Sequence, residues 1–226
     1  NTNFSSLPDL WIKNEVTDDV KRYIWLKIEN VKNSETPDYI KQVLNSAEVA
    51  SKWLLIDISN YSLYLYGQPT HCFDADTIKW NIIIRKAKNW ELFNWLDDKQ
   101  YKLSKEDIVI SDSEKVLALG WVIWGKESCV TDKTTNIIVE WAYFDQAIVR
   151  KTWKRLWVRT DSLNVFEKDI VLEMPIRWVS LIATELEKNL EWIKITEYSD
   201  NYKNKQETII IDFDLDFINN LIGKKY

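Results

Sequence analysis

The chain has 226 residues, a length that accommodates one large domain, or one domain and a fragment, with a sizeable hydrophobic core. It contains no run of about 18 apolar residues, and its N-terminus lacks the successive phases of a signal peptide. These features predict a soluble, cytoplasmic protein. The net charge of -5 argues against a surface that binds nucleic acid everywhere, although local basic clusters can still bind a phosphate backbone.

The first half of the chain predicts a polar N-terminal segment followed by strands and helices. Residues 1–17 are rich in Asn, Asp and Ser and are predicted to be a linker or a frayed terminus. A proline and early acidic residues open an amphipathic helix at Pro37 to Ala50. The apolar stretch Ser51 to Tyr66 fits either a helix or a strand by its periodicity alone. The runs predicted as strands are Val20 to Val31, Asn81 to Ala87 and Tyr101 to Ser111.

The stretch from Leu119 to Ser162 predicts a strand, loop, strand and helix in succession. A β-branched strand is expected at Asn136 to Phe144, and Asp145 is placed to cap the helix that follows. One carboxylate, Glu140, stands alone in that apolar strand. The helix presents a positive face beside it, which consists of Arg150, Lys151, Lys154 and Arg155.

The last part of the chain predicts a helix, a strand and a short terminal helix. Apolar residues recur at helical spacing over Pro175 to Leu190, and Glu207 to Leu215 alternates as a strand does. The run Phe217 to Ile222 ends at Gly223. Three aspartates alternate nearby and could be taken for a metal site, but a solvated strand edge is the favoured interpretation: Asp212, Asp214 and Asp216. No metal site is predicted, and Cys72 and Cys129 are expected to be free thiols.

Tryptophan is unusually common, with 13 Trp against 4 Gly. Some of these tryptophans lie where the backbone favours glycine. Trp90 follows Asn89 between two predicted strands, where Asn-Gly would form a tight turn, and Trp157 lies at the end of a predicted helix. The alternative is a genuinely tryptophan-rich core or a stacking surface.

Four blocks of this sequence resemble, in order and in spacing, the editing domain of the bacterial phenylalanyl-tRNA synthetase beta subunit. The resemblance extends over roughly residues 18 to 226. The blocks are Asp57 to Asp76, Leu119 to Ser128, Val130 to Asp145 and Arg150 to Ser162. It implies an α+β fold of mixed, largely antiparallel sheets with packed helices, including a helix at Ser51 to Tyr66. It also implies an editing domain at 18–199 and, at 200–226, the start of a small helical domain.

The resemblance implies hydrolysis of the ester that joins tyrosine wrongly to phenylalanine tRNA. His71, the single histidine, matches an editing-site position, where hydrogen bonding would orient the attacking water or the ester. Glu140 would accept a hydrogen bond from the tyrosine hydroxyl. Without the resemblance, the favoured interpretations are a structural histidine beside a turn and a glutamate on a solvated strand edge.

Further positions match residues that line the pocket or contact tRNA in the resembled family. The pocket-lining matches are Ser59, Asn60, Thr160 and Ser162, and the basic helix with Arg150, Lys151, Lys154 and Arg155 matches a tRNA-binding face. His71, Glu140, Thr160 and Ser162 are predicted to converge on one concavity. Val165 and Asp169 depart from the family's usual Arg and Gly.

The resemblance also bears on the tryptophans, because several occupy usual glycine positions: Trp80, Trp90, Trp121, Trp124, Trp153 and Trp157. For Trp11, Trp53, Trp95 and Trp141 the family pattern is less clear. Our hypothesis is that the source organism reads the codon UGA as glycine and that the translation wrote tryptophan. Trp121 and Trp124 are substrate-binding positions where glycines leave room, so indoles there are expected to fill the pocket.

The partners implied by the resemblance are phenylalanine tRNA and the synthetase alpha subunit of a heterotetramer. No cofactor is implied for this domain, since ATP and Mg²⁺ act elsewhere in the synthetase. The alternative function is a non-catalytic tRNA-binding or interaction module, which the tryptophans at pocket positions favour. A tryptophan-lined binder of small ligands is a third, more distant possibility.

Overall fold

The computed structural model describes residues 4–79, 81–95, 99–120, 123–157, 163, 165, 168, 170–173, 175–203, 205, 207 and 210–225. The fold is mixed α+β with largely antiparallel sheets, which confirms the predicted fold class. The helices are α1 (Asp38–Ser46), α2 (Leu54–Tyr66), α3 (Gln146–Leu156), α4 (Pro175–Asn189) and α5 (Leu215–Ile222). The strands are β1 (Ile12–Asn14), β2 (Arg22–Glu29), β3 (His71–Asp74), β4 (Ile82–Lys86), β5 (Leu92–Asn94), β6 (Gln100–Lys102), β7 (Ile108–Ser111), β8 (Val116–Leu119), β9 (Ile123–Trp124), β10 (Asn136–Tyr143) and β11 (Lys194–Asn201).

A four-stranded antiparallel sheet in the order β11-β2-β10-β3 lies at the centre of the fold. Successive side chains of a strand point to opposite faces, so this sheet has two distinct faces. One face packs on α1, α2 and α4 through residues such as Ile24, Leu26 and Trp141. Both faces are buried, which is why apolar residues follow one another without alternation in β2, over Tyr23 to Leu26, and in β10, over Ile137 to Val139.

The other face of this sheet packs against a five-stranded sheet in the order β1-β4-β7-β8-β9. Trp25, Phe73 and Ala142 contribute from the first sheet, and Ile110 and Leu119 from the second. Strand β1 pairs with β4 in parallel, and the remaining pairs are antiparallel. The strands β5 and β6 form a separate hairpin. The space between the two larger sheets is where the candidate site lies.

Local signals set several boundaries as the sequence predicts. Asp145 caps α3, because its carboxylate accepts hydrogen bonds from the backbone N–H groups of Ala147 and Ile148. Helix α2 ends at Gly67, whose φ of 68° places it in the left-handed region. Gly125 is required for a different reason: a Cβ there would lie 2.6 Å from the carbonyl oxygen of Leu117.

The structure departs from the expectations at both ends of the chain. The segment predicted as a linker contains β1 and the buried Phe4, whose ring stacks on Tyr198. The run Glu207 to Leu215 is predicted to be a strand, but none of its described residues, 207 and 210–215, lies in one, and Leu215 begins α5. The strand in this region is β11, which pairs with β2. Its polar sequence suits the edge of a sheet, where one side of the strand is unpaired.

A smaller difference concerns the run Tyr101 to Ser111, which forms two strands instead of one. A turn at Ser104 to Asp107 separates β6 from β7, and the Asp107 carboxylate accepts a hydrogen bond from the Ser104 N–H. In the part of the chain that the structure describes, no helix has the length and apolar character needed to cross a membrane. Nor do these residues include a cluster of three or more His, Cys, Asp or Glu side chains suited to a metal ion.

Candidate functional site

His71 and Glu140 are direct neighbours on adjacent strands. The antiparallel register of β3 and β10 places His71 opposite Glu140, and β2 places Trp25 opposite Glu140 on the other side. Directly opposed residues point to the same face, with Cβ atoms about 4.5–5.5 Å apart. The two predicted catalytic residues therefore lie side by side, on the face that packs against the five-stranded sheet.

Glu140 forms a buried hydrogen bond with a tyrosine of this chain. The hydroxyl of Tyr23 on β2 donates to Oε1 of Glu140 over 2.5 Å. Glu140 is 6% exposed and Tyr23 is fully buried. The Tyr23 ring stacks on Trp25 and meets Phe144 edge-on, with ring centroids 5.9 Å and 6.5 Å away, respectively. Aromatic neighbours on both sides hold the tyrosine in place, so its hydroxyl has a fixed direction.

Burial shifts the protonation of both members of this pair. Loss of hydration raises the pKa of the Glu140 carboxyl to about 8, and the hydrogen bond from Tyr23 opposes that rise. Burial and the neighbouring Glu140 carboxyl raise the pKa of the Tyr23 hydroxyl well above its ordinary value. Tyr23 is therefore a neutral donor at every physiological pH, whereas Glu140 changes charge near neutrality.

His71 is held as a neutral imidazole. Burial lowers its pKa well below the ordinary value of 6.5. Its ring meets Phe73 edge-on, with centroids 4.3 Å apart. A neutral imidazole has one nitrogen that donates and one that accepts hydrogen bonds, so His71 is suited to orienting a small polar molecule.

A small cavity of about 20 Å³ adjoins both residues. A buried water needs roughly 10–15 Å³ of such space, so the cavity has room for about one water molecule. It opens between the two sheets and is lined by Pro69, Thr70, His71, Ile110, Ala118, Leu119, Glu140, Trp141, Ala142 and Phe144.

A larger cavity of about 340 Å³ lies on the other side of His71, between α2 and β3. Ser59 and Asn60 line it, as the resemblance implies for pocket residues, together with Cys72 and Cys129. Pro69, Thr70 and His71 line both cavities. His71 thus stands between a space large enough for part of a substrate and a space for one water beside Glu140. Burial raises the pKa of each of the two thiols to about 11, so neither is a reactive thiolate at neutral pH.

The basic face of α3 consists of exposed side chains, but its members are not equivalent. Arg150, Lys151 and Lys154 are exposed. Arg155 instead pairs with the carboxylate of Asp107, which is buried and also accepts a hydrogen bond from Thr152. Arg155 therefore anchors the helix to the turn between β6 and β7.

Residues 19–189 match the family model described as the B3/4 domain. This chain belongs to the B3/4 domain family. Three curated relatives are all named phenylalanine–tRNA ligase beta subunit. The one from Fusobacterium nucleatum is 35% identical over 214 residues, which cover 93% of this chain and 26% of that relative. The one from Protochlamydia amoebophila is 40% identical over 164 residues, which cover 70% of this chain and 20% of that relative. The one from Aquifex aeolicus is 39% identical over 156 residues, which cover 69% of this chain and 20% of that relative.

This B3/4 domain spans about a quarter or less of the length of those relatives, 26%, 20% and 20%. Among solved structures it is similar to an N-terminal fragment of the phenylalanyl-tRNA synthetase beta subunit from Pyrococcus horikoshii. That likeness has a TM-score of 0.49 at 15% identity and covers 98% of this chain and 62% of the other.

Three of the predicted pocket residues of the B3/4 domain lie outside the described residues: Trp121, Thr160 and Ser162. Trp124 is described only by its backbone, which lies in β9 opposite Ala118. Because Ala118 lines the small cavity, the strand that carries Trp124 lies beside the candidate site. The structure thus brings His71 together with Glu140 through one cavity, and with Ser59 and Asn60 through the other.

Tyr23 is the site residue that sequence reasoning missed. It lies in a strand of apolar residues, two positions before Trp25, with no local feature that distinguishes it from a core tyrosine. Its partner Glu140 is 117 positions away along the chain. The only signal in the sequence was the isolated carboxylate of Glu140, because a buried carboxyl requires some hydrogen-bonding partner.

Proposed function

We propose that this chain is the editing domain of a phenylalanine–tRNA ligase beta subunit and hydrolyses tyrosine mischarged on phenylalanine tRNA. The observation that carries the proposal is a buried carboxyl, Glu140, beside a neutral histidine, His71, at a cavity between two sheets. The names of the relatives support the same class of protein. A cytoplasmic location, phenylalanine tRNA as the substrate and an alpha subunit as partner are parts of this proposal.

Selection of tyrosine over phenylalanine follows from the burial of Glu140. The phenol of a tyrosyl ester replaces water as the hydrogen-bonding partner of the Glu140 oxygen that Tyr23 does not hold, whereas phenylalanine leaves that oxygen without a partner. Sites built to bind a hydroxyl discriminate against the analogue that lacks it by about 10⁴ or more. Correctly charged phenylalanine is thereby spared.

Hydrolysis needs a water molecule aimed at the ester carbonyl. In the proposed reaction the water oxygen bonds to the carbonyl carbon, the ester C–O bond breaks, and the terminal hydroxyl of the tRNA receives a proton. His71 is neutral, and we assign to its imidazole the orientation of this water by hydrogen bonding. The space of about 20 Å³ beside it fits one such water.

The tRNA is proposed to contact the exposed basic residues of α3. Arg150, Lys151 and Lys154 supply positive charge on a chain whose net charge is -5, so the attraction is local. No cofactor is part of the proposed reaction in this domain. The use of ATP and Mg²⁺ belongs to the remainder of a synthetase.

The tryptophan hypothesis remains part of the proposal. Three tryptophans among the described residues have left-handed backbone conformations: Trp90, Trp157 and Trp192, with φ of 64°, 55° and 67°. A bulky residue with positive φ is a genuine outlier, while glycine adopts that conformation freely. This geometry supports glycine as the encoded residue at these positions, and by extension at Trp121 and Trp124.

A non-catalytic tRNA-binding module is the second candidate, and the size of the small cavity favours it. A volume of about 20 Å³ beside Glu140 accommodates a water but no tyrosine ring. A substrate ring needs more space than this, and glycine at 121 and 124, the pocket positions that the resemblance implies, is proposed to provide it.

Deacylation of purified aminoacyl-tRNA tests the proposal. Two proteins are compared: the chain with tryptophan at 121 and 124, and its Trp121→Gly/Trp124→Gly variant. Each is incubated with Tyr-tRNA and Phe-tRNA that carry the phenylalanine anticodon. We expect the glycine form to release tyrosine much faster than phenylalanine, and Glu140→Ala in that form to lose the preference. Tight tRNA binding by both forms without any deacylation would favour the binding module instead.

A further inference from the structure

We propose that Tyr23 is a positioning residue that orients Glu140 and thereby sets the preference for a hydroxyl-bearing substrate side chain. The inference rests on the proposed function and adds a residue to it. Tyr23 donates to Oε1 of Glu140 over 2.5 Å in a fully buried setting. With one carboxyl oxygen held by Tyr23, the second oxygen is the one assigned to the phenol of the substrate.

The surroundings give this hydrogen bond a fixed geometry. Tyr23 lies on β2 and Glu140 on β10, and these strands are paired along eight residue positions. The Tyr23 ring contacts Trp25 on its own strand and Phe144 just beyond the end of β10. A glutamate side chain has several rotatable bonds, and a carboxyl that is free to turn would lose selectivity. By holding Oε1, Tyr23 removes that freedom and fixes the direction of the second oxygen, where discrimination occurs.

Tyr23 also favours the ionised form of Glu140. Its donated hydrogen bond lowers the pKa of a carboxyl that burial raises to about 8. Within the described part of the chain, the titratable groups that face Glu140 are Tyr23 from β2 and His71 from β3, and burial keeps His71 neutral. Among the described residues, the five-stranded sheet contributes the apolar residues Ile110, Ala118 and Leu119 to the cavity lining. Loss of the Tyr23 hydroxyl is therefore expected to raise the pKa of Glu140 further and to weaken it as an acceptor near neutral pH.

The test uses Tyr23→Phe, which removes one hydroxyl and keeps the ring. Tyr39→Phe is the matched control, because Tyr39 donates to Glu185 over 2.6 Å on the helical side of the fold. Both substitutions are made in two parent proteins, the chain with tryptophan at 121 and 124 and its Trp121→Gly/Trp124→Gly variant. The measurements are kcat and KM for deacylation of Tyr-tRNA and Phe-tRNA across pH 6 to 9, and the titration of Glu140 followed by the NMR signal of a ¹³C-labelled carboxyl.

In Tyr23→Phe we expect the ratio of kcat/KM for tyrosine to that for phenylalanine to fall about tenfold or more, the range typical for hydrogen bonds to charged groups. The tyrosine preference should also appear only at higher pH, in step with a raised Glu140 titration midpoint. Tyr39→Phe should keep the parental ratio, pH profile and Glu140 titration.

Three outcomes have distinct meanings. A Tyr23→Phe protein with the parental ratio and an unchanged Glu140 titration overturns the inference while leaving the editing function intact. An equal fall in activity toward both esters, without a change in their ratio or in the pH profile, assigns Tyr23 a purely structural role and also overturns it. If neither parent deacylates either ester, the proposed function fails, and the inference fails with it.

Discussion

Burial of Glu140 makes the stability of this domain depend on pH. Below about pH 4.5 the carboxyl is neutral in both the folded and the unfolded chain. Its contribution to the free energy of unfolding is therefore fully present there. Between about 4.5 and 8 the unfolded chain ionises while the folded carboxyl holds its proton, so the free energy of unfolding falls as pH rises. Above the folded pKa of about 8 this contribution to the free energy of unfolding has been lost completely.

Replacement of Glu140 by glutamine should remove this dependence, because the amide is neutral at every pH and still accepts from Tyr23. Each pKa unit corresponds to about 1.4 kcal/mol, so we expect Glu140→Gln to be a few kcal/mol more stable than the parent at pH 8.5 and similar to it at pH 5. Urea unfolding at the two pH values measures this. Exposed Glu106→Gln is the control, and a Glu140→Gln protein whose stability tracks the parent at both pH values would contradict the burial argument.

The left-handed tryptophans give a second prediction at the scale of single residues. Trp90, Trp157 and Trp192 are 69%, 91% and 85% exposed, so little packing compensates for their backbone conformation. The left-handed conformation costs a residue with a Cβ roughly 1–2 kcal/mol, and the extra backbone entropy of glycine offsets about 0.5–1 kcal/mol of the gain. Glycine at each position should therefore stabilise the fold by about 0.5–1 kcal/mol.

Thermal and urea unfolding of the three single variants check this expectation. Trp178→Gly is the control, since Trp178 lies inside α4 and is absent from the described residues with positive φ. Glycine in a helix interior is destabilising by about 1 kcal/mol. Destabilisation at all three left-handed positions would argue that tryptophan is the residue this backbone was selected for.

At the scale of elements, the basic face of α3 separates into a binding part and an anchoring part. Lys154 is exposed, whereas Arg155 pairs with buried Asp107. Lys154→Ala should weaken tRNA binding for all sequences and reduce the slope of log K against log salt by about 1, with no effect on stability. Arg155→Ala should lower the free energy of unfolding by on the order of 1 kcal/mol or more, because it removes a partner of a buried carboxylate.

Binding of tRNA at several salt concentrations and urea unfolding distinguish the two variants. Each serves as the control for the other, since they are adjacent in sequence and remove the same charge. If both variants change only the salt slope, the Arg155 to Asp107 pair contributes nothing measurable to the fold. If neither changes it, the basic face of α3 lies away from RNA.

At the scale of the whole molecule, β11 belongs to the core domain and α5 does not contribute to its core. Strand β11 pairs with β2, and Asp200 accepts two hydrogen bonds from Arg22, of 3.0 Å and 2.7 Å. Helix α5 has no buried residues. A chain that ends at Lys203 should therefore keep the melting temperature of the full chain, whereas one that ends at Ile193 should unfold or aggregate.

Circular dichroism melting of the two shortened chains gives the readout. The predicted boundary at 199/200 is close to this point, and β11 extends two residues beyond it. Loss of stability in the chain that ends at Lys203 would mean that the C-terminal residues cover part of the core domain.

Much of the fold was predictable because it depends on signals between near neighbours in the chain. Asp145 caps α3 through N–H groups two and three residues away, and Gly67 ends α2 through its own φ. The strands β2 and β10 followed from runs of β-branched and aromatic residues. By contrast, β1 and β11 were missed because they are short or polar edge strands, which gain their stability from partners distant in sequence.

The sequence by itself determined the fold class, the helices that carry local caps, and the residue types available to the site. Only the tertiary structure decided which of these residues meet. The register of β3, β10 and β2 sets His71 beside Glu140 and brings Tyr23 within hydrogen-bonding distance of it. A slip of one residue in any of these pairings would turn the side chains to the opposite face. The reason is that register depends on the packing of both sheet faces at once, which no local stretch of the chain specifies.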